Sequence, residues 1–353
     1  MNFRLTVLML IAGAPLFAQI GGNGTYAFLN LTNSARIASL GGKVVSLSEG
    51  DMTIAASNPA MLTPELNNNL SMNYVDYFAG IKFGYAAYAH KVDKKNTFAV
   101  GIQYINYGTF ERADPTGQIL GKFYAAEDAL NLIWSHRIDS SFSLGVNFKP
   151  VYSTLDSYTS LGFATDLGVN YISKDKLFSG GLVLRNMGTQ ITRYTEMSGY
   201  ERLPFEIVAG ISQKLKYAPI RFYITAHQLQ RPKLTYTDPA KVEVDQLTGE
   251  PIEKSKISMF GENFMRHIIV GAEFIPMKNF YLRAGYNYQR RKEMQIADRV
   301  GAVGFSWGFG IKINKFIINY GRATYHLAGA SNHFSISVNL ADFYKNRVVD
   351  TTY

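Results

Sequence analysis

Val303-Gly304-Phe305-Ser306-Trp307-Gly308-Phe309-Gly310-Ile311-Lys312-Ile313 alternates between two kinds of side chain. Val303, Phe305, Trp307, Phe309, Ile311 and Ile313 occupy one set of alternate positions. Gly304, Ser306, Gly308, Gly310 and Lys312 occupy the other. Successive side chains of an extended strand point to opposite faces, so one face here is greasy and the other small and polar. The pattern recurs along the chain: at Leu70–Asp76, Lys82–Lys91, Phe98–Tyr107, Leu130–His136, Phe142–Tyr152, Leu161–Tyr171 and Phe178–Asn186, then at Phe205–Leu215, Ile220–Gln230, His267–Ile275, Phe280–Arg290, Phe316–Arg322 and Phe334–Leu340. Such segments read as half-buried strands.

The connections between them alternate in length. Short turns fall at Val92–Lys95, Ile138–Ser141, Ser173–Leu177, Lys216–Pro219, Pro276–Asn279 and Asn314–Lys315. Longer loops fall between these, at Gly108–Asp128, Ser153–Ser160, Met187–Pro204, Arg231–Arg266, Arg291–Val300 and Ala323–Asn332; only the first outer connection, Tyr77–Ile81, is short. Alternation of this kind over an even number of strands is the signature of an outer-membrane barrel, whose short turns face the periplasm and long loops the outside. The expected fold is therefore all-β: a 14-stranded antiparallel transmembrane β-barrel, integral to a bacterial outer membrane.

Residues 1–18 support export. Arg4 precedes an apolar run from Leu5 to Leu16, with small residues at Ala14 and Ala18, which reads as a signal peptide cut after Ala18. No later stretch is apolar enough for a spanning helix, so any crossing is made by strands. The chain has no cysteine, and its 23 Tyr and 23 Phe suit interfacial girdles. A formal net charge of +9 would suggest nucleic acid in a cytoplasmic protein. Export removes that partner and leaves outer-membrane lipid, lipopolysaccharide or acidic proteins, or simply solvated loops.

Residues 69–341 are assigned to the barrel, 19–68 to a plug segment and 342–353 to a C-terminal tail. The plug segment does not alternate. Ser34 is placed to cap a helix over Ala35–Leu40, and Asn58-Pro59 to start another turn. Phe28, Leu29, Ile37, Leu40, Val44, Val45, Ile54 and Met61 need burial, and the barrel interior is the nearest volume. With the apolar set facing lipid, the lumen receives Lys149, Asp166, Arg185, Glu206, Arg221, Glu273, Arg283 and Lys312. Both signs are present, which predicts ion pairs crossing the lumen; an open polar pore fits the same inventory, less well if the plug enters it.

Catalytic patterns are sparse. Gly304-Phe305-Ser306-Trp307-Gly308 matches the nucleophile-elbow spacing, but the alternation runs straight through Ser306, where an elbow needs a sharp turn. The six histidines, His90, His136, His227, His267, His326 and His333, lack metal-ligand spacing. No enzyme activity, metal or cofactor is expected. The longest loop carries Arg231, Phe260, Phe264, Met265 and Arg266, and reads as a docking surface for another protein or as a mobile loop.

Several stretches resemble one family. Gly21-Gly22-Asn23-Gly24-Thr25-Tyr26-Ala27-Phe28-Leu29-Asn30-Leu31, Asn58-Pro59-Ala60, Gly181 to Gly188, His227-Gln228-Leu229-Gln230-Arg231, Phe264-Met265-Arg266-His267 and Gly285-Tyr286-Asn287-Tyr288 resemble the PorQ family of the type IX secretion system. That family is similar to PorV and to the FadL-type barrels, which implies fourteen strands and an N-terminal plug. It also implies a scaffold role in a surface attachment complex, holding PorZ beside the sortase PorU and PorV while cargo is joined to anionic lipopolysaccharide. The competing expectation is a FadL-like conduit for fatty acids or other hydrophobic solutes; charge in the lumen weighs against it, since unpaired charge beside a lipid tail is costly.

Overall fold

The computed structural model describes residues 24–47, 49–235, 255–294, 301–326 and 329–344. The expected signal peptide, most of the C-terminal tail and the middle of the longest loop lie outside the described residues. Fourteen strands run in chain order: β1 Asn69–Asp76, β2 Lys82–Lys91, β3 Asn96–Ala113, β4 Ile119–Arg137, β5 Phe142–Leu155, β6 Tyr158–Ile172, β7 Phe178–Gln190, β8 Glu206–Lys214, β9 Ile220–Ala226, β10 Ile268–Met277, β11 Phe280–Asn287, β12 Phe305–Ile313, β13 Phe316–His326 and β14 Gly329–Asn339. Each pairs antiparallel with its sequence neighbours, and β1 closes on β14 from Asn69↔Asn339 to Asp76↔Asn332. The result is a closed, 14-stranded antiparallel barrel, as the alternation predicts.

Closure removes every free sheet edge and leaves side chains two directions, in or out. On β12, Phe305 and Trp307 are 53% and 52% exposed on the outer wall, while Ser306 on the inner wall is 4% exposed. The outer wall is apolar, and rings collect at its two rims. On β5, Phe142 packs at a tilt against Tyr171 near the short turns, with centroids 4.9 Å apart, and Tyr152 is exposed at the other end. Ten residues separate Phe142 from Tyr152, roughly 33 Å of strand, or about 25 Å of barrel height at a usual tilt.

The structure departs from the sequence reading at the loop rim. Gly108–Asp128, expected as a loop, continues the β3–β4 ladder through Phe110↔Phe123 and Arg112↔Gly121 to a turn at residues 114–118. Ser153–Ser160 likewise shrinks to a tight turn around Asp156, whose φ is 60°. Strand β9 ends at Ala226 rather than Gln230. Strand β11 ends at Asn287, whose Oδ1 accepts from the Arg290 amide at 2.9 Å and starts a helix over Tyr288–Met294 where strand was expected.

Residues 24–68 fill the lumen. Helix α1, Ala35–Ser39, is capped by Ser34, whose side chain accepts from the Ile37 amide. Helix α2, Met52–Ala55, is capped by Asp51, and the turn Pro59–Met61 by Asn58. Phe28, Leu29, Ile37, Leu40, Val44, Val45, Ile54 and Met61 are all buried. The small residues of the inner wall are seats for this backbone. A Cβ on Gly181 would lie 2.0 Å from the Val45 carbonyl oxygen, and one on Gly285 would lie 2.2 Å from the Gly41 nitrogen. Only glycine permits approaches this close.

Candidate functional site

Among the described residues, three ion-paired clusters lie on the inner wall, two of which receive charged side chains from the plug. The largest centres on Glu273, fully buried on β10. Register places Arg221 of β9 and Arg283 of β11 directly opposite it. Glu273 accepts from Arg283 Nε at 2.7 Å, Arg221 Nη1 at 3.1 Å and the Tyr223 hydroxyl at 3.0 Å. Plug residue Arg36 adds a third guanidinium at 2.9 Å and reaches Asp51 at the same distance. Glu49, also from the plug, pairs with Arg221 at 2.7 Å. Three arginines thus face three carboxylates, which is the arrangement that makes buried charge tolerable.

The second cluster centres on Glu206 of β8. Lys43 of the plug pairs with it, Arg185 of β7 stands at 4.0 Å and His227 Nδ1 at 3.5 Å. Arg185 also donates to the Leu29 carbonyl of the plug at 3.2 Å. In the third, Lys149 Nζ meets both oxygens of Asp166 at 2.7 and 2.8 Å. A bulge between β6 and β7 sets Asn186 at φ 55°, from where its amide donates to Asp166 at 2.7 Å.

Seven of the eight lumen residues named from the sequence, Lys149, Asp166, Arg185, Glu206, Arg221, Glu273 and Arg283, therefore lie buried on the inner wall. Lys312 does not join them. It shares their parity, but it sits at the end of β12 beside the short turn and is exposed there. Sequence reasoning missed the plug side of the network, Arg36, Lys43, Glu49 and Asp51. The available signal was that these are nearly all the charges in a segment whose other polar residues are neutral. Ser306, the second residue of β12, lies in continuous strand with no sharp turn, accepts from the Gly41 amide at 3.0 Å and donates to the Ser39 carbonyl at 3.1 Å, so it holds the plug.

Beside Lys149 and Arg185 the lumen leaves little room. The cleft bordered by Leu31, Asn33, Gln103, Asn131, Lys149 and Arg185 has a volume of about 20 Å³, space for roughly one water.

The loop rim carries two exposed features. Helix α3, Lys256–Arg266, presents Ile257, Phe260 and Phe264 along one stripe, 84%, 74% and 54% exposed; Met265 flanks the stripe, and Met259 is exposed on another side of the helix. Of the residues named for docking, Arg231, Phe260, Phe264 and Met265 are exposed. Arg266 is not on that face: it is buried, paired with Glu262 at 2.9 Å and near Glu293 at 3.9 Å, and it anchors the helix. The second feature is the β3–β4 arm, where Phe110 stacks on Phe123 and Ile119, Leu120 and Tyr124 are exposed.

No protein-family model matches the sequence. No curated protein matches it. Among solved structures the fold is similar to a TodX monoaromatic hydrocarbon channel deltaS2 mutant, at 13% identity over 87% of this chain and 97% of that one, with a TM-score of 0.51. The P. putida toluene transporter TodX aligns at 13% identity over 87% and 98%, with a TM-score of 0.50. A Pseudomonas aeruginosa FadL homologue aligns at 11% identity over 90% and 100%, with a TM-score of 0.49. At such identities the likeness to TodX is one of fold.

Proposed function

We propose that this chain is an integral outer-membrane protein, loops outward and short turns in the periplasm, that serves as a docking scaffold for a cell-surface complex. The complex is the one the PorQ resemblance implies: PorZ held beside the sortase PorU and PorV, on a membrane surface rich in lipopolysaccharide. The observation that carries the reading is the pairing of a lumen packed and cross-linked by its plug with greasy side chains offered to solvent on α3. A transport path needs space inside, and a dock needs apolar surface outside. Full burial of one ring such as Phe260 against a partner contributes about 1.5–3 kcal/mol, which is the size of an interface hot spot.

Deleting Arg231–Met265 is expected to leave the barrel folded and to release the surface partner. The measurement is a pull-down from detergent-solubilised outer membranes, read by mass spectrometry. Recovery of the sortase-complex proteins with the intact chain supports the scaffold, and their retention by the deletion variant removes α3 as the dock. A second reading, a conduit for hydrophobic solutes, is favoured by the TodX-like fold. Recovery of bound fatty acid or hydrocarbon and no partner would establish that reading instead.

A further inference from the structure

The outer wall carries a dent. Across β6 to β9, Val169, Tyr171, Leu182, Ile211 and Ile224 surround a cavity of about 490 Å³ whose floor includes Gly180, Ala209 and Ala226. The volume falls within the roughly 300–1,000 Å³ of small-molecule sites. Its lining is apolar, and the named side chains all have outward parity. The ladder beneath is intact, with Gly180↔Ile211 and Leu182↔Ala209 in register, so this is a groove in the wall and not an opening through it. Small residues make the groove without being forced to: a Cβ on Gly180 would meet nothing closer than 3.8 Å.

The groove runs toward the short-turn rim. Gly180 and Ile211 each lie three residues from that rim, roughly 10 Å of strand. There Lys174 and Lys176 of the β6–β7 turn adjoin Lys214 at the end of β8, whose amide donates to the Leu177 carbonyl at 2.8 Å, and Lys216 follows in the next turn. The one acid in these turns, Asp175, is occupied by its own turn, accepting from Ser173 Oγ and from the Leu177 amide at 3.0 Å. Lys214 shares the inward parity of Ser212 and stands opposite Arg221, so its side chain faces the lumen, 3.9 Å from Glu49, and not the groove. Lys216 Nζ lies 5.4 Å from the centre of the Tyr217 ring.

We propose that the β6–β9 groove and three turn lysines, Lys174, Lys176 and Lys216, form a binding site for an anionic phospholipid, its acyl chain in the groove and its phosphate among the lysines. Clustered lysines at a membrane surface attract acidic headgroups, and an apolar furrow beside them holds the chain that zwitterionic neighbours would leave exchangeable. The site rests on the membrane placement proposed above and is independent of the docking role.

The test uses the full chain inserted in nanodiscs of equal parts phosphatidylglycerol and phosphatidylcholine, with insertion checked first by heat-modifiable gel mobility. Native mass spectrometry of the released protein should show phosphatidylglycerol retained at least ten-fold over phosphatidylcholine. Lys174→Gln/Lys176→Gln/Lys216→Gln should abolish the preference, and Gly180→Leu, which fills the groove, should abolish retention. Lys94→Gln/Lys95→Gln, on a different short turn, should change neither. Equal retention of the two lipids, persistence of the preference in the triple variant, or a protein found seated on the groove would each overturn the site. Failure to insert at all would strike the membrane placement instead.

Discussion

Glu273 shows how much one buried carboxylate can hold together. It is the common partner of Arg36, Arg221 and Arg283, so replacing it by Gln leaves three guanidinium groups with too little counter-charge. Glu273→Gln is expected to destabilise the barrel by about 3–5 kcal/mol, measured by urea unfolding from lipid vesicles. Lys312→Gln, at an exposed turn, should stay within about 0.5 kcal/mol in the same assay. Glu65 offers a pH test where the plug leaves the lumen. Partial burial raises its pKa, but the Arg137 guanidinium at 2.6 Å, with local hydrogen bonds, pulls it down to about 2. A pKa lowered by folding stabilises above the unfolded value, near 4.3, and that contribution disappears as pH falls toward 2. Protease access to residues 64–68 should accordingly rise between about pH 5 and pH 2, and Glu65→Gln should flatten the profile.

Depth along a strand decides what a substitution costs. On β12, Phe305 is the first strand residue and sits at the rim, whereas Phe309 lies mid-strand. An arginine at Phe309 should cost about 2–4 kcal/mol and one at Phe305 only about 0–1 kcal/mol, both read by the same vesicle unfolding. The strands themselves were legible because each has one apolar wall, which stamps period two on the residues. The β3–β4 arm was not, and the reason is physical. Beyond Asn106 both of its faces are largely exposed, nothing selects alternate greasy positions, and Glu111 and Arg112 sit in a ladder that reads as loop. The end of β11 was hidden for another reason: Asn287 stops the strand through a local capping bond, which periodicity does not register. Half of the polar network was visible from parity alone, on Arg221, Glu273 and Arg283. Its other half lies in a segment without regular repeat, where no rule says which way Arg36 or Lys43 points.

At the scale of the whole molecule, plug and wall are fitted to one another backbone to backbone. Gly181→Val would push a branched side chain into the Val45 carbonyl and is expected to unseat residues 40–60 while β7 and β8 stay paired. Two readouts should change together: conductance across a planar bilayer should increase, and limited proteolysis should reach the displaced segment. A variant that keeps both at the native level would mean that the wall yields instead. The seam where β1 meets β14 carries a further consequence. Its partners, such as Ser71 and Ser337, are far apart in sequence, and the plug precedes them both. Residues 24–68 run straight into β1, and at their end the Asn68 carbonyl accepts from the Leu340 amide at 2.8 Å, so the plug is tied to both strands of the seam. The stopper is thus tethered to the weld itself, and once it has collapsed into the bore it shortens the distance over which the first strand must find the last.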